Sequence, residues 1–405
     1  MTSGTPLPRA SRPTLLALSL GHGSADLCSS ALFAVLPFLA VAYGYSYLQA
    51  GAFALTASLA SAVVQPLIGA HGDRGEAHRL LPAGLLLAAA GIAAVGFTTS
   101  YALTLLAVAV CSAGVAAYHP EGARWARRTA ATERVTSDMS VFSLGGGVGY
   151  GLGPLVVAAV LAPLGLRGTP LVAVVPITAA VVVVVALRRF RARPLEGLPA
   201  HHAATPLGSE WGPFALLLGL FFVASGVAIG LLTFVPLYLL EARDASPAAA
   251  NVMTSVLLVA GAAGTLLGGL AADRLGRRFV LLVPQLVLVP AIALLPALSY
   301  ALMLPVMAVV GLALNANMST TLVLAQEYLP TRMGLATGLM IGFSGGAGGL
   351  IALALGLLGD AAGPGAVLYA LALLPLAVAA FALRLPRPVA APAETVWSRR
   401  VVTEP

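Results

Sequence analysis

Hydrophobic positions along this chain neither alternate nor form narrow amphipathic stripes. They run on almost unbroken for roughly 20 residues at a time, the length needed to cross a bilayer as a helix. Barrel strands, by contrast, are about 10 residues long and alternate. Twelve apolar runs are predicted, over 14–42, 48–70, 80–99, 101–122, 139–162, 169–187, 213–240, 248–271, 279–298, 301–325, 334–358 and 365–383. The expected fold class is an all-α membrane protein with twelve transmembrane helices.

Composition agrees with that pattern. The 405 residues are 59% hydrophobic and 9% charged, whereas a soluble domain carries about 25% charged residues. The 22 basic residues are all arginine. With the N-terminus placed in the cytoplasm, only Arg167 and Arg243 fall outside, and the other 20 lie inside. A missed span would scramble so strong a positive-inside pattern. The net charge of +7 is therefore set by topology and gives no reason to expect a nucleic-acid partner. Cys28 and Cys111 lie within apolar runs and read as core residues rather than a disulfide. Residues 1–13 read as a cytoplasmic tail without a cleavage site, so the first span is retained.

The runs divide into two halves. Residues 14–187 hold six spans and 213–384 hold six more. A linker at 188–212 contains Arg188, Arg189, His201 and His202, and 385–405 form a cytoplasmic tail. The halves repeat: Gly69, Asp73 and Arg74 follow span two, and Gly269, Asp273 and Arg274 follow span eight, 200 residues later. Ser46 and Ser246 share that offset and stand where helix N-caps belong. Parallel six-span halves are a layout of secondary transporters.

One carboxylate stands out. Asp26 lies near the middle of the first run, while the other 14 acidic residues fall at run ends, in loops or in tails. A charge at a bilayer centre costs on the order of 3 kcal/mol or more, so it needs a partner, water or a proton. Ser19, His22, Asp26, Ser29 and Ser30 recur at helical spacing and make one polar face. Such a face must point at protein or a water-filled cavity rather than lipid. A proton-handling pair of His22 and Asp26 is the expectation; the bland reading is a fixed structural pair.

The stretch Gly269-Leu-Ala-Ala-Asp273-Arg274-Leu-Gly276-Arg277-Arg278 resembles the cytoplasmic loop signature of the major facilitator superfamily. Gly145, Gly149, Gly153 and Pro154 in span five resemble the glycine–proline signature of proton-coupled drug antiporters. The Ser19–Asp26 stretch, Gln65-Pro66 and Tyr118-His119-Pro120-Glu121 resemble the fosmidomycin resistance group of efflux proteins. The resemblance implies the major facilitator fold, with two pseudo-symmetric six-helix halves, in a bacterial inner membrane. It implies a monomer that exchanges protons for a small amphipathic molecule or drug, without a cofactor. It implies that the loop residues Gly69, Asp73, Arg74, Gly269, Asp273, Arg274, Arg277 and Arg278 latch the cytoplasmic side. The arginine that many drug antiporters carry in span four has no counterpart here; that stretch reads Ala107-Val-Ala-Val110-Cys111-Ser-Ala-Gly114.

Further candidates are His119 and Glu121, read as a gate or second proton site at the cytoplasmic end of span four, with Glu121 able to pair with Arg124 one turn on. Gln65, Ser143, Ser225, Asn315 and Asn317 are polar groups inside apolar runs and candidate substrate contacts. Glycines spaced along spans five, eight and eleven predict close helix approach, read as seams between halves. No phosphate-binding loop, zinc-spaced His/Cys cluster or nucleophile–base pair is present, so ATP-driven pumping, a metal site and a membrane enzyme are not expected. A proton symporter importing a sugar or organic acid would share the fold, but the span-five signature favours export. For the latch, Asp73→Asn and Asp273→Asn should slow transport while leaving substrate affinity intact. Lost affinity with normal turnover in a binding and flux assay would contradict it.

Overall fold

A computed structural model describes residues 12–73, 78–130, 135–191, 210–329 and 333–386. Among them are thirteen α-helices: α1 (Arg12–Tyr43), α2 (Tyr47–Asp73), α3 (Leu80–Val95), α4 (Tyr101–Thr129), α5 (Val135–Leu164), α6 (Thr169–Arg191), α7 (Trp211–Arg243), α8 (Pro247–Leu275), α9 (Arg277–Leu294), α10 (Tyr300–Asn315), α11 (Met318–Tyr328), α12 (Met333–Ala362) and α13 (Pro364–Arg384). Nine stretches of the described chain are long and apolar enough to cross a membrane, and one of them, Ser137–Arg189, covers both α5 and α6. The shorter apolar helices Leu80–Val95 and Gly348–Ala362 bring the crossing elements to twelve.

Most helix ends fall within about four residues of the predicted limits, and two differences go further. The tenth span is one run in the sequence but two helices in the fold, α10 and α11, broken at Ala316 and Asn317. The break falls in a polar stretch, Asn315, Asn317, Ser319, Thr320 and Thr321, of residue types that favour turns over helix interiors. The fourth helix continues to Thr129, beyond the predicted end at 122. Glu121 is thus inside a helix, and it is buried, with 1% of its surface exposed.

The repeat seen in the sequence is also a structural repeat. Gly44 at φ 65° follows α1, and Asp244 at φ 48° caps the C-terminus of α7. Both are left-handed residues that let a helix end and the chain turn. Asp244 is the only non-glycine residue with positive φ among those described. Two residues on, Ser246 Oγ accepts from Ala249 N–H at 3.2 Å and Ser46 Oγ accepts from Gln49 N–H at 3.3 Å. The predicted N-caps therefore do cap α8 and α2.

The glycine faces of α5 and α8 pack differently from the expectation, whereas Gly346 and Gly349 of α12 face α2 of the other half, as expected. On α5, Gly145 rests on Ser19, Gly149 on the Gly23 carbonyl and Gly153 on Leu27 and Ser30. On α8, Gly261, Gly264 and Gly268 rest on Asn315, Leu312 and Ala316. These seams lie within a half, not between halves. Contact between halves uses the other faces: Gly151 of α5 meets Val259 of α8, and Gly51, Gly349, Gly356 and Gly359 pair α2 with α12. Spacing showed that close approach was needed; it could not show which neighbour approached.

One apolar core joins both halves, running from Leu15 through Leu39 on α1 to Leu232 and Val235 on α7. A second cluster, around Phe214, Leu217, Leu324, Tyr328 and Val378, belongs to the second half alone and lies at the arginine-rich end. A side chain added at Gly149 would overlap the Gly23 carbonyl, and overpacking of this kind costs about 1–3 kcal/mol. Gly149→Val should accordingly lower the thermal unfolding midpoint of the purified protein, whereas Gly44→Ala, at an open turn, should lower it less; equal midpoints for Gly149→Val and wild type would refute the seam.

Candidate functional site

Three helices converge on Asp26. The α1–α5 seam brings the polar face of α1 against α5, where Ser19 Oγ donates to the Val141 carbonyl at 2.8 Å. One turn on, His22 Nδ1 lies 2.9 Å from the Phe142 carbonyl, and its ring stacks on Phe142 at 4.3 Å between centroids. Gly146 makes room for this: a Cβ there would stand 2.5 Å from Asp26 Oδ2 and from His22 Cε1. From α4, His119 Nε2 donates to Asp26 Oδ1 at 2.9 Å. His22 Nε2 lies 3.4 Å from Asp26 Oδ2. The two imidazoles meet edge to face at 5.2 Å.

The hydrogen bonds fix most of the proton positions. A carbonyl only accepts, so His22 Nδ1 carries a hydrogen and donates it to Phe142. In the neutral ring His22 Nε2 then holds a lone pair, aimed at a carboxylate oxygen. His119 Nδ1 is buried and makes no hydrogen bond among the described residues. Side-chain exposure is 15% for His22, 19% for Asp26 and 26% for His119, so the cluster is enclosed without being sealed. The Tyr118 hydroxyl donates to the Leu18 carbonyl at 2.7 Å and ties α4 to α1 beside it. The groups acting electrostatically on Asp26 are His119 and His22, with Tyr118 and Tyr150 also within reach of its field.

The remaining candidates fall elsewhere. Glu121, two residues after His119, pairs instead with Arg124 at 3.3 Å. Gln65 donates to Ser61 at 2.9 Å within α2. Ser143 is exposed on α5 and Ser225 half-buried on α7. Asn315 fills the notch left by Gly261, and Asn317 is buried at the break between α10 and α11. The side chains of Gly69, Asp73 and Arg74 lie outside the described residues. Asp273 and Arg274 are exposed. Arg277 forms a forked pair with Glu327, and Arg278 reaches the Leu383 carbonyl at 3.3 Å. Both contacts stay inside the second half.

Polar contacts between the halves lie at the opposite end, and sequence reading missed them. Asp360, at the end of α12, accepts from the backbone N–H groups of Tyr47 at 2.7 Å and Leu48 at 3.1 Å, and from Ser46 Oγ at 2.9 Å. It caps the N-terminus of α2 from the other half, where orphan N–H groups and the helix dipole favour an anion. Tyr47 adds a hydrogen bond to Glu241 of α7 at 2.8 Å. Deeper in, Asn251 Nδ2 of α8 donates to the Ala34 carbonyl of α1 at 3.0 Å. The one sequence signal was Asp360 itself, an acid at a run end, with nothing to say that it reaches across 314 residues to Ser46.

Two six-helix halves with a cluster of ionisable groups partway along the first helix are the layout of a membrane transporter. The chain belongs to the Major Facilitator Superfamily, whose family model matches residues 18–244 and 216–403. It is 32% identical over 363 residues to the Fosmidomycin resistance protein of Escherichia coli (strain K12), covering 88% of this chain and 89% of that one. It is also 32% identical over 381 residues to the uncharacterized MFS-type transporter YfnC of Bacillus subtilis (strain 168), covering 92% of each. Among solved structures, a bacterial homolog of the human lysosomal transporter Spinster, inward-facing and occupied, superposes with a TM-score of 0.77 at 18% identity, covering 93% of this chain and 98% of that one. The nucleoside transporter NupG superposes with a TM-score of 0.71 at 17% identity, covering 93% and 99%. The protein is a multi-pass membrane transporter, not an enzyme.

Removing a helix-capping carboxylate costs about 0.5–2 kcal/mol, a roughly 2- to 30-fold change in an equilibrium. Asp360→Ala should shift the population toward states parted at this end by that factor. Spin labels at the exposed Ala42 and Ala242 should show a longer distance component; an unchanged distribution would mean that Asp360 is no latch.

Proposed function

We propose that the protein is a proton-coupled exporter that exchanges inward-moving protons for an outward-moving small amphipathic molecule by alternating access. What carries the reading is the His22–Asp26 contact. Phe142 holds His22 in the tautomer that leaves Nε2 free, so a neutral ring would face its lone pair toward a carboxylate oxygen 3.4 Å away. One proton between these atoms removes the repulsion, and its loss restores it. The pair therefore favours one arrangement of α1 against α4 and α5 when protonated and another when not. His119 holds the far carboxylate oxygen in the meantime. Proton entry through one acid supplies about 2.3 kcal/mol per 100 mV of membrane potential.

The rest of the fold supplies what alternating access requires. Contacts through Asp360, Tyr47 and Asn251 close one end. The apolar cluster around Phe214 and Tyr328 belongs to one half at the other. In the cytoplasmic-termini topology, the closed end is the outer one. The Asp73 and Asp273 loops then engage when the cytoplasmic end closes, and Asp360 releases as they do. The relative named for fosmidomycin resistance supports export, and makes fosmidomycin the first compound to test. Gln65, Ser225, Asn315 and Asn317 stay as candidate substrate contacts, and the transporter works as a monomer.

Proteoliposomes with an imposed pH gradient test this with fosmidomycin and a panel of amphipathic compounds. Wild-type protein should move substrate against its gradient as protons move down theirs. Asp26→Asn should fold normally, lose at least tenfold of the gradient-driven flux and lose its pH dependence. A mutant with wild-type pH dependence would sink the proposal.

A further inference from the structure

The donor atoms around Asp26 have a second use. One ring nitrogen of His22, one of His119 and an Asp26 carboxylate oxygen all lie within 4.8 Å of one another. Two ligands held about 2.0–2.1 Å from a tetrahedral ion stand roughly 3.3 Å apart. His119 Nε2 lies 2.9 Å from Asp26 Oδ1 and His22 Nε2 lies 3.4 Å from Asp26 Oδ2, so each imidazole stands near that distance from one of the two carboxylate oxygens. The third separation, between the two imidazole nitrogens, is within 4.8 Å.

The surroundings match those of a metal ligand set. A metal-bound histidine characteristically donates its other ring N–H to a backbone carbonyl, which fixes the tautomer and aims the lone pair. His22 does so through Phe142. His119 lacks that support, since its Nδ1 makes no hydrogen bond among the described residues; the match on this side rests on its Nε2 facing Asp26. The groups acting electrostatically on Asp26 are the two histidines themselves. Three protein ligands leave a fourth position for water or another ligand, on a cluster whose side chains are 15–26% exposed. Two imidazoles and one carboxylate suit zinc, cobalt or nickel rather than magnesium or calcium.

We infer that His22, Asp26 and His119 form a binding site for a divalent transition-metal ion of the zinc class, within the transport pathway and with one open coordination position. Linear spacing hid the site, because His119 stands 93 residues from Asp26. The ion takes the lone pairs that hold the proton in the proposed cycle, so zinc bound there locks α1 to α4 and inhibits flux. The binding claim rests on the donor geometry and stands whether or not protons are the coupled ion.

The test uses tag-free, full-length protein in detergent, with His201 and His202 replaced by alanine to remove the linker pair. Titration calorimetry with zinc should give one saturable site, and magnesium should give none. Cobalt should produce the intense visible absorption of a four-coordinate ion. His22→Ala, Asp26→Asn and His119→Ala should each weaken zinc binding at least tenfold while eluting as folded, monodisperse protein. Should an alanine variant fail to fold, His119→Cys serves instead: it should retain zinc and add a thiolate-to-cobalt charge-transfer band. No saturable zinc site in the wild type, or equal affinity in the variants, would overturn the inference. So would a cobalt spectrum that His119→Cys leaves unchanged. Failure here with an intact Asp26→Asn transport defect would leave the proton cycle standing; zinc binding alongside pH-independent transport would do the reverse.

Discussion

The structure is organised around one carboxylate that lies in a membrane-spanning helix and must be compensated there. Asp26 carries a charge that lipid would not tolerate, and the groups that meet it come from its own helix and from two others. His119 of α4 supplies a hydrogen bond at 2.9 Å. His22, held by the Phe142 carbonyl of α5, supplies the facing nitrogen. Hydrogen bonds to a charged group contribute about 1.5–3 kcal/mol, comparable to the cost of placing that charge in the membrane. The balance is close, which is why the proposed cycle assigns the change in packing of α1, α4 and α5 to the gain or loss of one proton.

The glycine signature of α5 acquires a physical meaning from this. Gly145 and Gly149 let the backbones of α1 and α5 approach until Ser19 and His22 reach carbonyls across the gap. Gly146 leaves the space that the cluster occupies. A motif that looks like packing alone is also what orients the imidazole. The corresponding glycines of α8 serve the second half, where Asn315 rather than an acid meets the seam. Ionisable chemistry is thus concentrated in the first half, and the second half contributes the closing contacts through Asp360 and Glu241.

Much of this was legible in the chain. Run length and arginine placement specified the helices, and a 200-residue offset specified the repeat down to the paired caps at Ser46 and Ser246. Asp26 and His22 were legible because they share one helix face, a local relation. His119 could be named from its motif, but not as the partner of Asp26, because that pairing depends on how α4 packs against α1. Asp360 was overlooked for the same reason: a cap supplied by another half leaves no mark on the local pattern. The break after Asn315 was hidden by continuous hydropathy, which measures partition into lipid and not backbone continuity. Glu121 looked peripheral because the apolar run ends near it, whereas the helix continues and buries it.

The central claim is that Asp26 gains and loses a proton in concert with its histidine neighbours. Infrared difference spectroscopy across a pH jump, on purified protein in lipid, reads this directly. The account predicts a protonated-carboxyl stretch that appears on acidification together with imidazole ring bands, and that is absent from Asp26→Asn. A wild-type spectrum with no such band, or the same band in Asp26→Asn, would contradict it.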